Sequence, residues 1–164
     1  MHPKPIQPND NQRSVWDFPR PPILELENRP VKVILNGVLI AETNKAQKVL
    51  ETSHPPVYYL PLEDIRNDAL KMVPQTSFCE FKGTANYFDV MANGIARTKA
   101  AWSYLSPSAR FKSIEKHVAF YAHMMDACFV GDEKAQPQPG NFYGGWVTSD
   151  VVGPFKGIPG SMGW

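Results

Sequence analysis

Residues 31–41, VKVILNGVLIA, place two apolar runs on either side of Asn36-Gly37. An Asn-Gly pair between apolar runs favours a tight hairpin, because a type I′ turn needs positive φ at both central residues. The same arrangement recurs at Asn93-Gly94, where apolar and aromatic residues lie on both sides. Two hairpins at separate places in the chain predict antiparallel β-structure.

The other segments of this region are short and rich in β-branched and aromatic residues. Residues 45–51 fit either a helical turn or a short strand, residues 57–60 predict a strand, and residues 62–68 predict a turn of helix. Residues 114–130 fit either a helix or two strands, and we favour strands because aromatic and β-branched residues concentrate in two short runs. The expected fold is mainly β, with small antiparallel sheets and one or two short helices.

Proline is unevenly distributed along the chain. The 16 prolines in 164 residues are about twice the usual ~5%, which excludes a helical bundle. Seven lie in residues 1–30 and four in residues 135–164, so residues 31–134 have ordinary proline content. We therefore divide the chain into an N-terminal arm (1–30), a body (31–134) and a C-terminal arm (135–164). Both arms carry aromatic residues, so we expect them to be extended and to pack on the body or on a second subunit, as in a homodimer.

Charge, apolar patterning and cysteine content exclude several classes of protein. Seventeen Lys and Arg against 16 Asp and Glu leave a net charge of +1, too little basic excess for a nucleic-acid binder. No apolar run approaches the ~20 residues that span a bilayer, and the first ten residues do not resemble a signal segment. We expect a cytoplasmic protein without membrane contact. Cys79 and Cys128 lack a Cys-x-x-Cys pair, which predicts two free thiols and no zinc site.

The densest group of polar and aromatic side chains is ETSHPPVYY at residues 51–59. His54 is suited to proton exchange near neutral pH, or alternatively to hydrogen bonding with the backbone around the rigid Pro-Pro corner. In an extended backbone Glu51 and Ser53 face one way and His54 faces the other. Ser53 is therefore not a nucleophile for His54, which would need a distant hydroxyl or the Cys79 thiol.

A second polar and aromatic stretch is CEFKGTANY at residues 79–87, which contains Cys79, Lys82 and Tyr87. Its Lys-Gly-Thr run lacks the upstream glycine of a phosphate-binding loop, so a nucleotide site of that kind is excluded. Lys82 suits either an anion or carbonyl anchor or a solvated surface position. Cys79 fits a small buried residue better than a nucleophile.

A third stretch, WSY at residues 102–104, begins with Trp102, which suits either a pocket or the core. Elsewhere, His117 and His123 are six residues apart and have no carboxylate at ligand spacing. No pair of aspartates has the pattern of a two-metal phosphoryl-transfer site. We therefore expect neither a metal nor a cofactor.

These motifs resemble the successive motifs of the DUF427 domain family. The resemblance rests on residues 51–61 with Glu63-Asp64, on Cys79, residues 82–85 and Tyr87, and on residues 102–104 and 118–121. It covers roughly the body, and residues 14–22 also resemble the segment that precedes this domain. The resemblance implies a small, mainly β domain, similar to the β-tent fold of thalidomide-binding and methionine-sulfoxide-reductase-like domains. It implies no zinc, because the paired Cys-x-x-Cys knuckles of zinc-bearing relatives are missing.

The leading functional hypothesis is a domain that binds a small molecule in a pocket lined by residues of these motifs. The predicted ligand-binding residues are Glu51, Ser53, His54, Tyr58, Cys79, Lys82, Tyr87 and Trp102. A second hypothesis is an enzyme that uses His54 as acid or base, with Cys79 or Lys82 as nucleophile or electrostatic helper. A third is an interaction protein whose aromatic arms grip a partner chain. The nucleotidyltransferase label used for this family has no support in the sequence, which shows no Gly-Ser and paired-carboxylate site.

Overall fold

The computed structural model describes residues 2–164, in which β-strands joined by tight turns make up most of the regular structure. In chain order the strands are β1 (Arg13–Ser14), β2 (Ile23–Glu27), β3 (Val31–Leu35), β4 (Val38–Thr43), β5 (Ala46–Leu50), β6 (Val57–Pro61), β7 (Leu70–Cys79), β8 (Gly83–Ala92), β9 (Ile95–Ser103), β10 (His117–Phe120), β11 (Ala127–Val130), β12 (Glu133–Lys134), β13 (Gln136–Pro137), β14 (Trp146–Val147) and β15 (Val151–Val152). Short 3-10 turns lie at Val15–Asp17, Leu62–Asp64, Asn67–Ala69, Ala109–Ile114 and Ala122–Met124. Within residues 2–164 no helix is long and apolar enough to cross a bilayer. The prediction of a mainly β fold is confirmed.

Two antiparallel sheets contain most of the strands. The larger sheet has the strand order β2-β5-β6-β10-β9-β8-β7, and the smaller sheet has the order β12-β11-β3-β4. Both predicted hairpins are confirmed, since φ is 47° at Asn36, 76° at Gly37, 51° at Asn93 and 85° at Gly94. These positive values are those that a type I′ turn requires. Residues 114–130 contain β10 and β11, in agreement with the strand interpretation.

The main core lies between the two sheets. It contains Val33 of β3 from the smaller sheet and Tyr58 and Leu60 of β6 from the larger sheet. Successive residues of a strand point to opposite faces, so Tyr59 points away from this core. On that opposite face Tyr59 packs in a second apolar cluster, which also contains Trp102. The larger sheet is therefore covered by apolar side chains on both faces.

The two arms pack against each other and against the body. Strand β1 of the N-terminal arm pairs in parallel with β15 of the C-terminal arm. Trp16 Nε1 donates a hydrogen bond to the backbone oxygen of Pro154 at 2.9 Å, and Phe18 is buried. Trp146 is fully buried in the main core, where its ring stacks on Tyr58 with centroids 5.1 Å apart. Trp16, Phe18 and Trp146 thus pack as expected, whereas Phe142 of the C-terminal arm is exposed.

The edge strands of the larger sheet, β2 and β7, are not predicted from the sequence. Strand β2 lies within the N-terminal arm and yet pairs with β5 along its whole length. Strand β7 pairs with β8 and is exposed over most of its residues. It contains Pro74, which an edge strand tolerates because one side of its backbone has no partner. The residues of β2 alternate apolar and acidic side chains, but they lie in the Pro-rich segment that the sequence analysis assigned to an arm.

Candidate functional site

One face of the larger sheet carries a cleft of about 1020 Å³, which we call the aromatic cleft. Strands β5 to β9 supply its floor and one wall, and residues 138–144 and Lys156 of the C-terminal arm supply another wall. Small-molecule sites in proteins commonly enclose ~300 to 1,000 Å³. The cleft is therefore large enough for a drug-sized organic compound.

Six of the eight predicted ligand-binding residues line the aromatic cleft. They are Glu51, His54, Cys79, Lys82, Tyr87 and Trp102. They come from three motifs that are well separated in the sequence. The pairing of the strands brings these motifs to one face of the larger sheet.

Ser53 and Tyr58, the other two predicted residues, do not line the cleft. Tyr58 is 1% exposed and points from β6 into the main core, so its neighbour Tyr59 lines the cleft instead. Ser53 is fully buried, and its backbone holds two segments of the arms together. Its N–H donates to the Val15 carbonyl at 3.0 Å, and its carbonyl accepts from the Lys156 N–H at 2.9 Å. Neither side chain lines the cleft.

Residues 51–54 form a tight turn, so the prediction that Glu51 and His54 face opposite ways is wrong. Ser53 has a φ of 73°, and the His54 N–H donates to the Glu51 carbonyl at 3.0 Å. The turn brings both side chains to the cleft, with 3.8 Å between His54 Nε2 and Glu51 Oε2. Arg20 Nε lies 3.4 Å from the same carboxylate oxygen and offsets its charge.

Gln138 of the C-terminal arm sets the tautomer of His54. The Gln138 side chain is 1% exposed, and its Oε1 accepts from the Gly145 N–H at 3.0 Å. Its Nε2 therefore faces the other way and donates to the Lys156 carbonyl at 2.9 Å and to His54 Nδ1 at 3.0 Å. Because Nδ1 accepts a hydrogen bond, we assign the proton of the neutral ring to Nε2. His54 thus presents a hydrogen-bond donor on the side of Glu51.

Burial keeps His54 neutral. It lowers the pKa of His54 to about 4; the nearby positive charges act in the same direction, and Glu51 opposes them. Protonation would also place a hydrogen on Nδ1, directly against the donating amide of Gln138. The hydrogen bonds and the pKa therefore agree that the ring is a neutral donor near pH 7.

Aromatic rings form the floor of the cleft. Trp102 is 8% exposed, and its Nε1 donates to Tyr59 Oη at 3.3 Å. The ring centroid of Tyr121 lies 4.6 Å from that of Trp102, and that of Tyr104 lies 6.4 Å from that of Tyr59. Burial raises the pKa of both Tyr59 and Tyr104, so their phenols stay protonated. This floor is built of inclined aromatic rings that are held by internal contacts, which suits a ring-containing compound.

The hairpin between β7 and β8 positions Cys79 and Lys82. The Ser108 N–H donates to the Lys82 carbonyl at 3.0 Å and anchors the turn. Lys82 is 9% exposed, and its Nζ lies 5.7 Å from the ring centroids of Tyr104 and Phe111, within the range of cation–π attraction. Cys79 is half-buried at the cleft. The interpretation of Lys82 as a solvated surface lysine is therefore wrong.

The C-terminal arm forms a wall of the cleft that the sequence analysis does not predict. A Cβ atom on Gly144 would lie 2.0 Å from Trp102 Cη2, so only glycine lets the backbone rest on this ring. The Tyr143 ring packs edge-on against His54 with 4.9 Å between centroids. The mixture of glycine and aromatic residues indicated that this arm packs. No sequence signal marked Gln138, whose role depends on its tertiary contacts.

The charged groups of the cleft are mainly lysines. Lys82, Lys99 and Lys156 line it, and among the lining residues Glu51 is the carboxylate. Within residues 2–164 no three His, Cys, Asp or Glu side chains are grouped closely enough to hold a metal ion. The cleft can therefore bind by ring stacking, by hydrogen bonding and by attraction of negative charge.

A family profile described as a domain of unknown function (DUF427) matches residues 23–131. The chain belongs to the DUF427 family. The match confirms the resemblance seen in the motifs, and the DUF427 domain begins with β2. No curated protein matches the chain significantly. The DUF427 match ends before Gln138 and Gly144, so the C-terminal wall lies outside the matched domain and still lines its cleft.

Proposed function

We propose that this protein binds a small organic molecule in the aromatic cleft. The proposal rests on one observation: six residues that were predicted from three separate motifs line the same cleft of about 1020 Å³. An apolar floor with a few placed polar groups is the usual composition of a small-molecule site. Here Trp102 and Tyr59 form the floor, and His54 and Lys82 supply polar groups.

The hydrogen bonds of His54 favour binding over proton transfer. A general base needs a free lone pair on the nitrogen that faces the substrate. In this cleft Nδ1 of His54 already accepts from Gln138, and Nε2 carries the proton. Cys79 and Lys82 line the same cleft, as the enzyme hypothesis requires, but His54 is held in a form that does not take their protons.

The contacts of the arms favour a role within one chain over a grip on a partner. Trp16 hydrogen-bonds to Pro154, Phe18 is buried, and Trp146 fills the main core. These three rings are therefore engaged inside the molecule, whereas Phe142 of the C-terminal arm is 74% exposed at the cleft. A homodimer through the arms stays a prediction, which the mass in solution with and without residues 1–22 would test.

The proposed function can be tested with N-phenyl-1-naphthylamine, a neutral aromatic dye that fluoresces in apolar sites. The wild type should bind one dye per chain. Thr76→Trp places an indole on the cleft wall and should weaken binding about tenfold or more, because Thr76 lines the cleft. Met72→Trp is the matched control, since Met72 is exposed on the same strand outside the cleft lining.

Binding by the wild type and Met72→Trp, with loss in Thr76→Trp, would support the proposal. Equal binding by the two variants, or no stoichiometric binding by the wild type, would overturn it. A thermal-shift screen of metabolites with the wild type and Thr76→Trp would then identify compounds that use the cleft.

A further inference from the structure

Among the lysines that line the aromatic cleft, Lys82 is the buried one. It is 9% exposed, and within residues 2–164 its ammonium has no hydrogen-bond acceptor and no carboxylate at ion-pair distance. The groups that stabilise its positive charge are the rings of Tyr104 and Phe111, whose centroids lie 5.7 Å from Nζ. Most of the Lys82 side chain is buried, but its ammonium reaches the cleft without an anionic partner among the described residues, so a negative ligand group there would gain a charge-assisted hydrogen bond.

The other charges around the cleft leave it net positive. Lys156 Nζ donates to the backbone oxygen of Trp164 at 3.1 Å, and Lys99 is exposed at the rim. Glu51 is the single carboxylate of the lining, and Arg20 lies beside it. Negative charge entering the cleft would therefore be attracted rather than repelled.

His54 offers a second donor in the same cleft. Its Nδ1 is occupied by Gln138, and its Nε2–H has Glu51 Oε2 at 3.8 Å, beyond hydrogen-bond distance. The Nε2–H is therefore available to an acceptor atom of a ligand. A lysine and a neutral imidazole are both donors, so the polar groups that are free in this cleft match an acceptor-rich anion.

Apolar surface extends from the floor to the mouth of the cleft. Phe78 on β7 and Phe142 on the C-terminal arm line it from opposite walls and are 76% and 74% exposed. Large aromatic side chains left this exposed at a cleft mouth mark a surface that binds apolar groups. A ligand that reaches them must carry an apolar portion as well as its polar group.

We propose, building on the proposed function, that the ligand is an amphipathic organic anion, in which a flat apolar ring system carries one carboxylate, phosphate or similar acidic group. The ring system lies in the cleft against its exposed aromatic residues, Phe78 and Phe142, and the anionic group pairs with the Lys82 ammonium. The Nε2–H of His54 supplies a further hydrogen bond.

The test compares 8-anilinonaphthalene-1-sulfonate with N-phenyl-1-naphthylamine, which is the same ring system without the anionic group. In 20 mM salt the wild type should bind the sulfonate about tenfold or more tightly than the neutral dye, as expected for a charge-assisted hydrogen bond. Lys82→Met keeps an unbranched side chain that is one atom shorter and uncharged, and it should remove this preference. Lys71→Met is the matched control, since Lys71 is exposed on β7 outside the cleft lining.

A second measurement does not depend on a variant that folds. Raising the salt concentration to 500 mM should weaken binding of the sulfonate to the wild type and leave the neutral dye unaffected. Equal affinity for the two dyes at low salt, or a preference that persists in Lys82→Met, would overturn the anion proposal while the cleft still binds. Failure of both dyes to bind stoichiometrically would instead overturn the proposed function.

Discussion

Acidification should destabilise the folded protein through His54. The pKa of His54 is about 4 in the folded chain, compared with about 6.5 for an ordinary histidine. Between these values the unfolded chain binds a proton that the folded chain does not, so stability falls as the pH drops below about 6.5. The difference in pKa corresponds to a loss of about 2 kcal/mol at pH 5 and about 3 kcal/mol at pH 4, relative to pH 7.

The groups around His54 explain this effect. Burial contributes most to the low pKa, Glu51 opposes it, and Lys156, Arg20 and Lys82 add to it. The Gln138 amide donates to Nδ1 and disfavours the imidazolium at any pH.

The assay is urea unfolding of the wild type and two variants at pH 7, 6, 5 and 4. In His54→Asn an amide oxygen replaces Nδ1 as the acceptor for Gln138, so the hydrogen bond can persist without a titrating ring. The stability advantage of the wild type over this variant should shrink by about 3 kcal/mol between pH 7 and pH 4. His123→Asn is the control: burial also lowers the pKa of His123, but this residue is exposed, so its variant should show a smaller change of the same sign.

A constant difference between the wild type and His54→Asn over the whole pH range would refute this reasoning. It would mean that His54 titrates in the folded protein as it does in the unfolded chain. The ring ¹⁵N chemical shifts give an independent measurement, since they distinguish a protonated nitrogen from an unprotonated one. At pH 7 the proton should be on Nε2, and a proton on Nδ1 would contradict the hydrogen bond from Gln138.

Two other changes have expected effects on stability. Gly144→Ala forces a methyl group into the Trp102 ring and should lower the unfolding free energy by about 1 to 3 kcal/mol and shift the tryptophan fluorescence. Gly163→Ala, which meets nothing within 4 Å, should change the unfolding free energy by less than about 0.5 kcal/mol, and equal losses would contradict this account. Glu27→Gln removes the buried carboxylate that pairs with Lys48 and Arg29, which leaves Lys48 with Glu25 alone, and it should cost about 3 kcal/mol at pH 7. Burial alone would raise the pKa of Glu27, but hydrogen bonds and nearby cations lower it to about 2. The stability difference between the wild type and Glu27→Gln should therefore shrink as the pH falls from about 4.5 towards 2. A difference that does not change with pH would contradict this prediction.

Local sequence was sufficient to predict the hairpins and the fold class. Asn36-Gly37 and Asn93-Gly94 favour their turns through backbone preferences that hold in any context. The motifs that contain His54, Lys82 and Trp102 could also be recognised as belonging together by composition and family resemblance. These motifs supplied six of the residues that line the cleft, whereas Tyr59, Tyr104 and Tyr121 of its floor were not predicted.

The orientation of side chains within those motifs depended on tertiary structure. Tyr58 and Tyr59 are equivalent in composition, and only the packing of β6 between two apolar layers decides which of them faces the cleft. Glu51 and His54 face the same way because Ser53 adopts a left-handed conformation, stabilised by hydrogen bonds to Val15 and to Lys156. Such long-range contacts leave no local pattern in the sequence.

By itself the sequence determined that this is a mainly β protein of the DUF427 family with two packed aromatic arms. Only the tertiary structure decided that the C-terminal arm completes the cleft, with Gly144 against Trp102 and Gln138 holding His54 as a neutral donor. The physical reason is the sequence separation over which the two kinds of interaction act. Turn and strand preferences depend on neighbouring residues. The protonation of His54 at Nε2 and the lack of an anionic partner for Lys82 depend on residues far away along the chain.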